Sequence, residues 1–452
     1  MSSPLSTSTR PGPQPAPPGP TALGAQAAPQ TVAAPAGGAT TAWDVRSSPG
    51  WYRVFGAIAV ASTLALAVLS TTGTFLMRES TRSIQSNTAP SLIAVQGLSA
   101  SVAEANSNAT AAFLATTTGE EDRQRRVAYL DALRRSAEQT EEVAGLIDDD
   151  EARHRDLKDV AVALTSYSGS IEAARAAALD GRSGAVGELR TALDLTGSNV
   201  ADSVARVTEA NQARFDEQSG AGTLFTFGGL VAAAAVLALL VFMQVRTFRM
   251  SNRFLNLGLL FASAMILATL VTVASGLLSR QSALANASDG GYDAIAATSR
   301  LQSSANDVQT ELSLRLLGGS EGTDLEGPLA QLTADAELIE SIADSDRERA
   351  AAQALGVRLE RYQSTTATIL GLADRGDTES AVETFRGSGF SAFNGLNTSI
   401  ESVLSDNRAQ FDDGVEGAAG AADLLPLLTV VLPLLAAVGI VLGIQRRLRD
   451  YQ

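Results

Sequence analysis

The sequence predicts an all-α membrane protein in which four transmembrane helices carry two tandem extracytoplasmic four-helix bundles, behind a disordered amino-terminal tail. Three observations predict it. Apolar runs at 54–77, 223–245, 254–278 and 424–444 each approach the ~20 residues needed to cross ~30 Å of hydrocarbon. The long intervals between them, 78–222 and 279–423, are almost free of proline and space their apolar residues by three and four. Finally, NQARFDEQSGAG at 211–222 returns as NRAQFDDGVEGA at 407–418, the mark of an internal duplication.

Composition bounds the function. The chain has 452 residues, no cysteine, one histidine (His154), one lysine (Lys158) and a formal net charge of -15. So acidic a chain with few aromatics is not built to bind nucleic acid. Without cysteine, any part outside the cytoplasm must be held by helix packing alone. Residues 1–50 are a Pro/Ala-rich tail, RPGPQPAPPGP then QAAPQTVAAPAGG, with too little apolar surface to offset the entropy of ordering. The first apolar run is longer than a signal-peptide core and ends in TGTFLMRES, without a small-residue cleavage site, so it is expected to remain as an anchor.

Arginine placement gives the expected orientation. Arg46 and Arg53 precede the first span, Arg246, Arg249 and Arg253 fill the loop 246–253, and Arg446, Arg447 and Arg449 lie in the tail 445–452. By the positive-inside rule both termini and this loop are cytoplasmic. The two long intervals then lie outside with net charges of about -8 and -14, against about +7 for the remainder. Arg78, Arg82 and Arg280 run against this bias.

Each long interval reads as four helices. In the first, Leu98, Val102, Ala105 and Ala109 form one seam, and Leu130, Leu133, Ala137, Ala144 and Ile147 another, with breaks at TTTGEED, IDDDEAR and LDGRSG. The second has Leu301, Ala305, Val308 and Leu312, then Leu329, Leu332 and Ala336, with breaks at GGSEGTDLEGP and DSDRER. Tyr167 pairs with Tyr362, and LDGRSGAVGEL with ADRGDTESAVETF, at separations near 195–203.

In the repeated stretch, the seam Val200, Val204, Val207 leads to Asn211, and Leu396, Ile400, Val403 leads to Asn407. A polar residue thus replaces an apolar one at the same place in each final helix, where it fixes register or loosens the seam enough for the helix to shift. Asn211 and Asn407 are therefore candidate coupling residues, together with Arg246, Arg249, Arg253, Arg446, Arg447 and Arg449. The cluster Arg123, Arg125, Arg126, Arg134 and Arg135 reads as a solvated face or a dock for an acidic partner. Arg315 is a candidate for a ligand carboxylate. No catalytic or metal motif is present: HExxH, GxxxxGK[ST] and GxSxG are all missing, so the reading is of a non-enzyme without cofactor. In the spans, Gly439 with Gly443, Gly258 with Ala262, and Gly229 with Ala233 permit close helix approach, while Pro426 and Pro433 predict a kink in the fourth.

The span-bundle-span plan and the Gly-containing step before each final helix resemble the four-helix-bundle sensor domains of chemoreceptors and sensor kinases. After Ile444 only QRRLRDYQ follows, so no HAMP or kinase segment is expected. The whole arrangement resembles an actinobacterial family of four-span proteins encoded beside a glutamine-binding lipoprotein and the serine/threonine protein kinase G. That resemblance implies a relay from an extracytoplasmic solute-binding lipoprotein, loaded with Asp or Glu, to a cytoplasmic serine/threonine kinase. The alternatives are a structural envelope scaffold and a direct small-solute receptor.

Overall fold

The computed structural model describes residues 48–117, 122–147, 150–251, 256–318, 325–343 and 345–449, and every element in them is helical. The first copy contains α1 (Ser48–Ser83), α2 (Ala89–Thr117), α3 (Arg123–Leu146), α4 (Glu151–Leu179), α5 (Ala185–Asp194), α6 (Ala201–Gly220) and α7 (Thr223–Ser251). The second repeats the order as α8 (Leu257–Ala285), α9 (Asp293–Leu316), α10 (Glu326–Ile342), α11 (Asp346–Asp374), α12 (Thr378–Thr384), α13 (Phe390–Asp423) and α14 (Leu425–Arg449). π-helical turns join α1 to α2 (Ile84–Thr88) and α8 to α9 (Asn286–Tyr292), and others join α5 to α6 (Leu195–Val200) and α12 to α13 (Phe385–Gly389). The duplication thus extends to irregularities of the backbone. The predicted tail lies outside the described residues except for its last three positions, and Arg253 lies outside them too.

Four helices are long and apolar enough to cross a membrane, and two of them run without a break from the apolar region into a bundle, over Gly50–Thr117 and Leu257–Leu316. In the apolar region α1 packs on α7 and α14, and α8 packs on the same two, which closes a ring. Small residues set the approach. A Cβ on Gly258 would lie 2.6 Å from both Gly439 O and Gly443 Cα, and one on Gly229 would lie 2.7 Å from Ser70 Oγ. The expected small-residue contacts therefore form between helices. At one end Tyr52 donates to Thr247 Oγ1 (3.2 Å), joining α1 to α7, and Asn256 Nδ2 donates to Gly443 O (2.9 Å), joining α8 to α14. Pro426 falls in the first turn of α14, where a missing N–H is harmless; the helix continues through Pro433.

At the other end stand two bundles, one of α2, α3, α4 and α5–α6, the other of α9, α10, α11 and α12–α13. Local chemistry sets their ends. Asp122 caps α3 by accepting from Arg125 N (3.1 Å), and Asp150 caps α4 by accepting from Ala152 N (3.0 Å) and Arg153 N (3.2 Å). Ser345 and Glu348 close a reciprocal capping box on α11. After α4 and α11 the chain turns through Gly181 (φ 66°) and Gly376 (φ 79°), a left-handed conformation that only glycine adopts without strain.

The bundles pack on each other through α2 and α9. Both faces of α2 are covered, so it is buried almost all round. Ser107 donates to Asn306 Oδ1 across the contact (2.7 Å). Arg125 of α3 stacks over Phe390 of α13 at 3.1 Å from the ring centroid, a cation–π contact that also crosses between copies.

One expected seam is corrected. Leu98, Val102, Ala105 and Ala109 are buried as read, but α3 is turned by about one residue from its predicted register. It buries Tyr129, Ala132, Ser136, Thr140 and Val143, and leaves Leu130 46% exposed. The cause is polar: Ser101 of α2 hydrogen-bonds Ser136 Oγ (2.9 Å) and donates to Gln139 Oε1 (2.7 Å), which draws the hydroxyl-bearing stripe of α3 inward. Ala137 turns outward with Leu130, while Leu133 and Ala144 stay half-buried against the core and Ile147 is buried as expected. In α10, by contrast, Leu332 and Ile339 face the core.

Candidate signalling junction

The repeated stretch sits where each bundle meets the apolar helices, and it presents two residues one turn apart to the interior: Asn211 with Phe215, and Asn407 with Phe411. Both phenylalanines enter one apolar cluster shared by the copies, with Ile84, Leu92, Leu284, Tyr292, Ile295 and Leu404 among its members. The second π turn accommodates this, since a Cβ on Gly291 would come 2.9 Å from Phe411 Cα.

The asparagines differ in what they hold. Asn211 donates to Ser91 Oγ of α2 (2.7 Å) and accepts from Arg153 Nη1 of α4 (2.8 Å). Arg153 is only 4% exposed, and its Nε donates to Asp150 Oδ2 (3.0 Å). Those bonds hold the Asp150 carboxyl below its ordinary range, led by the backbone N–H of Arg153 and then its side chain. Asn211 therefore clamps three helices through a buried charge. Among the described residues Asn407 donates to Thr298 Oγ1 of α9 alone (3.2 Å). Where α4 places Arg153 in its first turn, α11 places Glu348, which turns out to its cap instead.

Arginines then cross between copies at the membrane-facing end of the bundles. Arg280 of α8 is completely buried, with no carboxylate within ion-pairing distance among the described residues. Its Nε donates to Thr81 Oγ1 (2.9 Å), Nη1 to Ser219 O (2.8 Å), and Nη2 to Gln218 O (3.1 Å) and Ser80 Oγ (3.2 Å). Gln218 and Ser219 lie in the last turn of α6, where carbonyls lack helical partners and the dipole favours a cation. The Gln218 side chain also brackets the first π turn, accepting from Thr88 Oγ1 (2.8 Å) and donating to Ser83 Oγ (3.0 Å). In the reciprocal direction, Arg78 and Arg82 of α1 both reach Asp423 at the end of α13, at 3.0 and 3.3 Å, in a solvent-exposed pair. The first span of each copy is thus tied to the final bundle helix of the other.

Arg280, Arg153 and Gln218 were not singled out as sites from sequence. Arg280 did carry a signal, as an arginine at the end of an apolar run where the charge bias disfavours it. The other candidates are dispersed. Arg126 pairs with Glu172 (3.4 Å), Arg134 with Glu138 (2.7 Å) and Arg135 with Glu104 (2.7 Å), while Arg123 is exposed. Arg315 pairs with Asp374 (2.5 Å), a carboxylate of its own bundle. Arg246, Arg249, Arg446 and Arg449 are exposed at the opposite end of the apolar helices, with the Arg246 guanidinium carbon 5.8 Å from the Trp51 ring centroid. Arg447 lies on the same last turns of α14.

Residues 80–220 match the family model of the actinobacterial sensor domain. The match begins at the Ser80 that accepts from Arg280 and ends at the last residue of α6, so it covers the first bundle and leaves the second outside. No curated protein and no solved structure matches the chain. A sensor domain carried on four apolar helices of spanning length fits a multi-pass transmembrane sensor of actinobacterial type.

Proposed function

We propose that this protein is a non-enzymatic relay that carries an extracytoplasmic signal to a cytoplasmic partner. Both bundles lie outside the cell, and the end bearing Arg246, Arg249, Arg446 and Arg449 faces the cytoplasm. The observation that carries the reading is the crossed junction: Arg280 holds α1, α6 and α8 together, so a displacement of the last helix of one bundle must load the first span of the other copy. Asn211 and Asn407 set how tightly each final helix is seated. Exposed arginines at the inner end, joined by the amino-terminal arm, present the displacement to an acidic surface. The signal is an amino acid, Asp or Glu, delivered by a solute-binding lipoprotein that docks on the bundles, and the cytoplasmic partner is a serine/threonine kinase.

The test is affinity capture of the full-length protein from native membranes after cross-linking, with and without added Asp and Glu, with partners read by mass spectrometry. The relay predicts recovery of a binding lipoprotein and a kinase in yields that respond to amino acid. Capture of envelope proteins regardless of ligand would contradict it in favour of a scaffold.

A further inference from the structure

Beside the buried hydroxyl stripe of α3, Ala137 is exposed and Leu133 and Ala144 are only half-buried. Leu133, Ala137 and Ala144 of α3 face Leu157, Ala161 and Leu164 of α4 across an open groove of about 600 Å³. That volume is in the range of small-molecule sites, which are apolar concavities carrying a few directed polar groups. The polar groups here stand on opposite walls. Glu141 projects from α3, and Lys158, the chain's single lysine, from α4. Neither makes an ion pair with the other or with any other described residue, and both are exposed. Thr140, Thr165 and Ser168 add neutral hydrogen-bonding capacity along the walls.

We propose that the α3–α4 groove binds a zwitterion with an apolar body, an apolar amino acid or a short apolar peptide. Its carboxylate pairs with Lys158 and its ammonium with Glu141, while its side chains lie along the apolar walls. One charge alone would be repelled by one wall, and an uncharged apolar solute would leave both walls unmatched. The volume exceeds that of a single leucine, so a peptide of two or three residues fills it better. Occupation would press on α4, whose Arg153 holds the Asn211 of α6, and so would reach the junction. The inference rests on the relay reading for its consequence, though not for the binding itself.

The test uses the full-length protein in lipid nanodiscs, with calorimetric titration of trileucine, of N-acetyl-trileucine and of trileucine capped at both ends. Saturable binding of free trileucine is expected, weakened at least tenfold by the N-acetyl cap and further by capping both ends, weakened likewise by Lys158→Gln or Glu141→Gln, and abolished by Ala161→Trp, which fills the groove. All three positions are exposed on helix surfaces, so folding is not at stake. No binding of trileucine, or binding that ignores the caps and both charge substitutions, would overturn the assignment. Binding that passes these tests but leaves the inner ends of the spans unmoved would instead contradict the relay.

Discussion

The two bundles descend from one plan and are packed differently. The second has a single apolar core that runs from Leu301 through Leu355 and Tyr362 to Ile400. The first splits into two clusters, one around Leu98, Val160 and Val207 and the other around Phe113, Tyr129, Tyr167 and Leu189. Ser101 and Ser136 rotate α3, and Arg153 with Asn211 seats α4 on α6 by hydrogen bonds. Packing by apolar area is non-directional and tolerates sliding. A hydrogen-bonded charge has few good positions, and its loss is costly. Both bundles bury a charge but place it differently: Arg153 of the first holds the final helix through Asn211, whereas Asp335 of the second is held by Arg300 and Ser304 of α9 and by Gln331 of its own helix.

The sharpest way to break the comparison is at the crossed arginines. Arg280→Gln should destabilise the full-length protein by about 3 kcal/mol, because hydrogen bonds to a buried charged donor are each worth roughly 1.5–3 kcal/mol. Arg82→Ala, which removes only one arm of an exposed pair, should cost under ~1 kcal/mol. Thermal unfolding followed by circular dichroism in nanodiscs reads both. Equal effects would show that the two copies share the load symmetrically.

Next come the seam asparagines. Asn211→Leu leaves the Nη1 of buried Arg153 without its acceptor, with the Nε bond to Asp150 remaining, and is expected to cost about 2–3 kcal/mol, whereas Asn407→Leu forfeits one neutral bond worth about 1 kcal/mol. The double substitution Arg153→Met with Asn211→Leu should recover much of the loss, since apolar replacement of a whole buried polar set is often neutral. The tyrosines sharpen the contrast at smaller scale. Tyr362 donates to Gln309 Oε1 (3.2 Å), while the buried Tyr167 hydroxyl has no partner among the described residues. Tyr362→Phe should cost about 1 kcal/mol and Tyr167→Phe nothing.

The smallest expected effect is acid sensitivity of one cap. The Asp150 carboxyl is held below its ordinary value, so its contribution is fully present above the unfolded pKa of about 4 and is lost as pH falls through the lower folded value. At the matching helix of the second bundle the hydroxyl of Ser345 that accepts from Glu348 N does not titrate, and only the return bond from Ser345 N to the Glu348 carboxylate can be lost to protonation. Hydrogen exchange near pH 3 should therefore fray the start of α4 before that of α11; Asp150→Ser should erase the difference.

The spans, the four-helix plan and the duplication were legible because each rests on a periodic signal that no tertiary contact overrides. Apolar run length marked α1, α7, α8 and α14, and three-four spacing marked α2 and α9. The register of α3 was not legible. Its sequence offers two stripes one residue apart, and the choice was made by Ser101 on a neighbouring helix. The same limit hid the junction. Asn211 and Asn407 stood out as polar interruptions of a seam, but the partners Ser91, Arg153 and Thr298 are supplied by distant segments. The π turns carry no periodic signature of their own. Arg280 was visible only as an exception to the charge bias, and its four acceptors come from α1 and α6.

The central claim is that the junction couples bundles to the inner ends of the spans, and the cysteine-free chain allows it to be tested cleanly with introduced spin labels. Labels at Arg249 and Arg446 in the full-length protein in nanodiscs report the spacing of α7 and α14 at the end remote from the bundles by double electron–electron resonance. The account predicts a narrow distance distribution that broadens or shifts by about 2 Å, the scale of helix shifts in switching proteins, in Arg280→Gln. A distribution identical to the parent, in a variant whose bundle stability has fallen, would contradict it.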